Sequence, residues 1–251
     1  MVLALSFGRF YSIDSFVEFL IIIVSIIISY YSHRVYKLIN DKNYQFFSFA
    51  FLSIAISFVF KILSNLTILN KITLENANFI FVIWHQLEYM QLINFWSFIF
   101  YKTFHLIGFL ILFFIVTRTK NKEKIFLFIY FCIVAIFLSI YFNFIFHLTT
   151  VFILFSLTFH FYENHKKINS TNSLLVFIAF LIMLISHFFF VFSDMSPLFY
   201  LTGEILLLIG FLSLLVNQIK LKKENRRRNI NHEKTNKIRS VKRSIRSTAK
   251  K

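Results

Sequence analysis

Seven stretches of this chain each carry about twenty consecutive, mostly apolar residues, and nothing else in the sequence constrains the fold as strongly. That length is what an α-helix needs to cross the hydrocarbon core of a bilayer, about 30 Å thick. The stretches cover roughly residues 15–36, 44–64, 96–117, 124–142, 144–162, 173–192 and 198–219. They are continuously apolar and lack the alternation of a membrane-spanning strand. A spanning segment must also satisfy its backbone hydrogen bonds internally, which leaves helices. The expected fold class is all-α, a polytopic membrane protein folded as a seven-transmembrane-helix bundle. Composition agrees: 58% of the 251 residues are hydrophobic and 15% charged, too little polar surface to cover a soluble domain.

Charge sets the expected orientation. The segment from Lys220 onward holds fourteen Lys and Arg against Glu224 and Glu233, a net charge of +12. A block of that size stays on the cytoplasmic side. With the tail inside, the inner loops collect Arg34, Lys37, Lys42, Arg118, Lys120, Lys122, Lys124, Lys166 and Lys167, so 23 of the 27 basic residues share one face. Only Arg9, Lys61, Lys71 and Lys102 fall at or near the other face. Seven crossings with the amino end outside and the carboxyl end inside account for this segregation. The predicted organisation is a helical domain over residues 1–219 and a basic, disordered cytoplasmic tail over 220–251. The location is the cell membrane, multi-pass. The first run reads as an uncleaved anchor, because no small-residue cleavage site follows it. Residues 65–95 form the one long outer connection, which suits an interfacial helix or an extension of the third span. Tight outer turns are expected near Asn143 and around residues 193–197.

The tail lacks aromatics and cannot fold on its own apolar surface. Its expected partner, beyond the bilayer that surrounds the spans, is the anionic lipid headgroup layer, at roughly 1 kcal/mol per basic residue near the surface. A polyanion such as nucleic acid would satisfy the same charges and ranks second. A cytoplasmic signalling partner is a further candidate.

Ionisable residues inside apolar runs are the candidates for function, since a charge at the bilayer centre costs about 2.5–3.5 kcal/mol on insertion scales. Glu18 and Lys61 lie about one turn inside their spans, where snorkelling is an option. Lys102 and His105 share a face of the third span, and His147 and His187 lie near the outer ends of the fifth and sixth. Glu204 is the deepest acid, about 10 Å beyond Pro197. All belong to the outer half. They suggest a ligand-binding polar pocket of Glu204, Lys102, His105, Lys61 and Glu18, with Glu204 facing Lys102 or Lys61. The competing reading is one Glu–Lys pair that fixes helix register.

Other chemistries find little support. Cys132 is alone, which gives no disulfide and no thiolate metal site. Three imidazoles and a carboxylate are suitable zinc ligands, but no His-x-x-x-His pair lies within a span. No lysine sits in the last span between residues 198 and 218 to carry a retinal Schiff base. The chain is therefore expected to be no enzyme and to use no metal, no cofactor and no catalytic residues. Gly203 and Gly210, seven apart, mark the face on which the last span meets the bundle. Asn65-Leu66-Thr67 matches a glycosylation acceptor.

The stretch YYSHRVYKLINDKNYQFFSFAFLSIAISFVFKILSN, Tyr30 to Asn65, resembles the first inner turn of seven-span modules in archaeal and bacterial membrane sensors. These include the amino-terminal domains of some histidine kinases and a set of uncharacterised archaeal membrane proteins. The resemblance covers a seventh of the chain. It implies a receptor-like or sensor-like module with an outward-facing pocket, whose output passes through a partner. The alternatives are a transporter or channel for an ion or small polar solute, and a membrane anchor whose basic tail recruits a polyanion.

Overall fold

The computed structural model describes the backbone of residues 2–75, 80–119 and 121–221, and the side chains of residues 14–67, 89–119 and 121–221. Within these bounds the chain is helical apart from the short turns between helices. The helices are α1 (Val2–Ile39), α2 (Lys42–Glu75), α3 (Ile80–Thr117), α4 (Lys122–Leu138), α5 (Asn143–Ile168), α6 (Thr171–Val191) and α7 (Pro197–Leu221). Six of them, all but α4, contain segments long and apolar enough to cross a membrane. The protein is thus a multi-pass membrane protein whose helices contact the bilayer. The exposed belt agrees, with large apolar side chains such as Phe16, Phe19, Phe131, Phe155 and Phe188 facing outward.

One expectation resolves between its alternatives and one feature differs. Of the two forms expected for residues 65–95, the structure has the extension of the third span, with α3 beginning at Ile80, and α2 also continues to Glu75. The side chains of residues 68–88 lie outside the described residues, as do those of Arg9 and the tail beyond Leu221. The feature that differs is α4, expected as a full span. Its 17 residues cover about 26 Å, just short of the hydrocarbon thickness. Its last turn tightens: the amides of Ile140 and Tyr141 donate three residues back, to Phe137 and Leu138. The Ser139 carbonyl, which would continue the helix, instead accepts from the buried ammonium of Lys102 on α3 at 2.9 Å. A cation against the free carbonyls of a helix end is favourable.

In lipid, apolar contact alone does not drive helices together, so association depends on close packing and interhelical hydrogen bonds. Ser29 and Ser48 each donate to the other's carbonyl at 2.9 Å, joining α1 to α2. Ser53 donates to the Phe104 carbonyl of α3, and Ser186 of α6 donates to the Gly203 carbonyl of α7, both at 2.8 Å. Small residues sit where backbones approach. A Cβ at Gly203 would lie 2.7 Å from the Phe190 ring, and one at Gly210 2.7 Å from Met183, so the glycine face of α7 rests on α6. Phe51 and Phe58 of α2 meet Phe211 of α7 edge-on, sealing the centre of the bundle.

Gly108 is the tightest crossing. A Cβ there would lie 2.5 Å from Ile54 Cγ1 and 2.9 Å from the Ala50 carbonyl oxygen. The side chain can move but the carbonyl cannot without moving α2. Gly108→Ala should therefore lower unfolding free energy by about 1–3 kcal/mol, the usual cost of overpacking, measured by denaturant titration in detergent micelles.

Candidate functional site

Four helices bring polar residues to the same end of the bundle, each as a pair four residues apart on one face. These are Asp14 and Glu18 on α1, Lys61 and Asn65 on α2, Tyr101 and His105 on α3, and Tyr200 and Glu204 on α7. All are buried except Tyr200, which is half-buried. The Lys61 ammonium lies 2.9 Å from Glu18 Oε1 and also pairs with Glu204 Oε1. Asn65 Nδ2 donates to Asp14 Oδ2 at 3.0 Å and to both Glu18 oxygens at 3.1 Å. The Tyr200 hydroxyl donates to Asp14 Oδ2 at 2.7 Å. One ammonium and one amide therefore tie α1, α2 and α7 together.

Aromatic faces complete the surroundings of Lys61. Its Nζ lies 5.3–5.8 Å from the ring centres of Tyr200, Phe58, Tyr101 and Phe190. Within that range a cation is attracted to the ring quadrupole. Carboxyl groups outnumber ammonium groups here. Oxygens of Asp14, Glu18 and Glu204 lie within 4.8 Å of one another, facing a single ammonium. Two carboxylate oxygens, Asp14 Oδ1 and Glu204 Oε2, are buried without a hydrogen-bond partner. The three carboxylates offer the hard oxygens a metal cation would use, but Lys61 already occupies two of them.

Above the cluster lies a cavity of about 500 Å³. Lys61, Asp14, Asn65, Tyr101, His147 and Tyr200 line it, and Asn143, Ser193, Asp194 and Pro197 reach it from the two tight turns. Asp194 and Pro197 are exposed, so the cavity reaches the surface at this end of the bundle.

The expected site residues divide into three groups. Glu18, Lys61 and Glu204 come together, and Lys61 is the partner that Glu204 faces. Neither Glu18 nor Lys61 snorkels; both turn inward, because each finds a charged partner within the bundle. Lys102 stands apart, capping α4 through Ser139 with its ammonium 3.6 Å from the Phe98 ring centre. His105 lies beside the cluster, against Ser57 and His187. Asp14, Asn65, Tyr101 and Tyr200 belong to the site but were not singled out by sequence. Their signal was available as four-residue spacing from Glu18, Lys61, His105 and Glu204. Asn65, read as a glycosylation acceptor, has its side-chain amide engaged by Asp14 and Glu18.

Comparison with family models, with curated proteins and with solved structures gives no match to this chain, so the functional reading rests on geometry.

The arrangement can hold a cation or redistribute protons; it positions charge. Removing Lys61 should expose how much of the bundle depends on it. Lys61→Met leaves three buried carboxylates without their cation and should cost about 3–5 kcal/mol, the usual penalty for breaking a buried pair. Adding Glu204→Gln to Lys61→Met should recover part of that loss. A double-mutant cycle by thermal unfolding in nanodiscs reads the coupling.

Proposed function

We propose that this chain is a sensor-like membrane module whose cavity binds a small organic cation, such as a primary amine. The observation that carries this reading is the excess of carboxyl over ammonium groups in the cluster beneath the cavity, where Asp14 lines the wall and its Oδ1 acceptor is unpaired. An ammonium ligand would donate to that oxygen, neutralise part of the excess and find the faces of Tyr101 and Tyr200 beside it. A ligand with unequal affinity for two packings of α1, α2 and α7 would shift between them. Movement of α7 would displace the basic tail that follows it, towards or away from lipid or a partner.

The proposed topology is seven crossings, with the cavity end and the amino terminus outside and the tail inside. Segregation of the basic residues supports it. So does α4, despite its length. It starts just beyond the end of α3 at Thr117, and its last cap is held by Lys102, about 22 Å back along α3. That places α4 alongside the spanning part of α3. Phe126, Leu127, Tyr130 and Phe137 are all more than half exposed, as lipid contact requires.

A transporter or channel is the second reading. It would need a polar route through the other half of the bundle. Among the described residues, every buried ionisable side chain belongs to the cavity half. The other half buries Ser25, Ser29, Ser32, Ser48, Thr158 and Asn217 among Ile28, Leu112, Phe180 and Phe211. Binding without chemistry of its own or passage is the simpler reading of such a closed floor.

Thermal unfolding in nanodiscs with rising methylammonium, longer primary amines, sodium or potassium tests this. A ligand that binds only the folded form stabilises it by about 2.7 kcal/mol at a hundredfold excess over its Kd. Amines should raise the midpoint of the wild type and leave Asp14→Asn unmoved. No response to any cation in the wild type would remove the reading. Accumulation of the same amine in proteoliposomes would replace sensing with transport.

A further inference from the structure

Beside the carboxylate cluster, three buried histidines form a row. His147 Nδ1 lies 3.5 Å from His187 Nδ1, and His187 Nε2 lies 3.4 Å from His105 Nε2. His105 Nδ1 then lies 3.4 Å from Ser57 Oγ, which donates to the Ile54 carbonyl at 2.7 Å. The row starts at the cavity, which His147 lines, and ends within α2. Phe58, Phe109, Phe146 and Phe190 pack around it. These separations are at the long limit for hydrogen bonds.

The row is linear. His187 presents one nitrogen to each neighbour, so the three rings do not converge on a point that a single metal ion could occupy. A neutral imidazole carries one N–H donor and one bare acceptor. Ser57 spends its hydroxyl proton on Ile54, so it must accept from His105 Nδ1–H. His105 Nε2 is then an acceptor, and His187 donates to it from Nε2–H. His187 Nδ1 is in turn an acceptor, and His147 donates to it from Nδ1–H. One serine thus sets the tautomer of all three rings. It leaves His147 Nε2, on the cavity-lining residue, as the acceptor not engaged in the row.

We propose that Ser57, His105, His187 and His147 form a directed proton relay: a proton-binding site that loads from the cavity and carries charge into the bundle. A hydronium in the cavity gives its proton to His147 Nε2 and leaves as water. The His147 Nδ1 proton passes to His187 Nδ1, and the His187 Nε2 proton passes to His105 Nε2. His105 becomes the imidazolium and still donates from Nδ1 to Ser57. No heavy-atom bond changes and nothing is oxidised or reduced. Tyr101 on α3 packs on His105, the ammonium groups of Lys61 on α2 and Lys102 on α3 act on the row, and Asp14 and Glu18 on α1 with Tyr200 and Glu204 on α7 lie beyond Lys61. The two ammonium groups oppose the loaded state, and Glu18 and Glu204 offset Lys61 by pairing with it. This site goes beyond the amine reading and does not depend on which solute fills the cavity.

The test is side-chain nitrogen NMR on the full chain in nanodiscs, labelled with 15N-histidine and assigned by single histidine substitutions. At alkaline pH the expected pattern is mixed: Nδ1–H on His105, Nε2–H on His187 and Nδ1–H on His147. Acidification should move the signals of all three rings together. Ser57→Ala removes the group that sets the direction and should turn His105 into a mixture of tautomers. His187→Phe cuts the row, so the pH response of His105 should be lost while that of His147 stays. An Nε2–H tautomer at wild-type His105 would overturn the relay, as would an unchanged His105 response in His187→Phe. Should His187→Phe fail to fold, the wild-type tautomer pattern decides the question by itself.

Discussion

The ammonium of Lys61, held between carboxylates of two other helices, is the interaction on which the cavity end of this bundle depends. An unpaired charge in that setting costs several kcal/mol, and Lys61 avoids the cost by pairing with Glu18 and Glu204. Because the three groups come from α2, α1 and α7, their pairing brings the first helices of the chain to the last. Asn65 and Tyr200 extend the contact to Asp14, whose Oδ1 stays buried without a partner. The same network that positions the helices leaves one oxygen each of Asp14 and Glu204 without a hydrogen-bond partner.

Elsewhere the bundle is held by weaker and more numerous devices. Serine hydroxyls join α1 to α2, α2 to α3 and α6 to α7, and glycines at 108, 203 and 210 let helices approach. Lys102 shows how burial redirects a charge. Its nearest use is the free carbonyl at the end of α4, and the helix stops where that carbonyl is taken. A side chain that looked like part of a binding pocket acts as a cap.

Much of this is legible in the sequence. Helix number and approximate placement follow from apolar length, because a segment in hydrocarbon has almost no alternative to a helix. The concentration of Glu18, Lys61, His105, His147, His187 and Glu204 in one half of the spans was equally visible, since depth along a helix is a count of residues. The helix ends were less so. α2 and α3 run far past the apolar windows, and α4 stops short of its own, because polar residues can prolong a helix beyond the hydrocarbon and a tertiary contact can end one within it.

The sequence by itself determined the class, the helices and which end of them carries ionisable groups, since each is a property of one segment and its solvent. Tertiary structure alone decided the partners. Lys61 rather than Lys102 meets Glu204, and Asp14 with Asn65 rather than His105 joins them. Three histidines from α3, α5 and α6 fall into one row with Ser57 of α2. Those outcomes depend on how each helix is rotated about its axis relative to its neighbours. That rotation is set by glycine crossings and interhelical hydrogen bonds between residues far apart in the chain, which no single apolar run encodes.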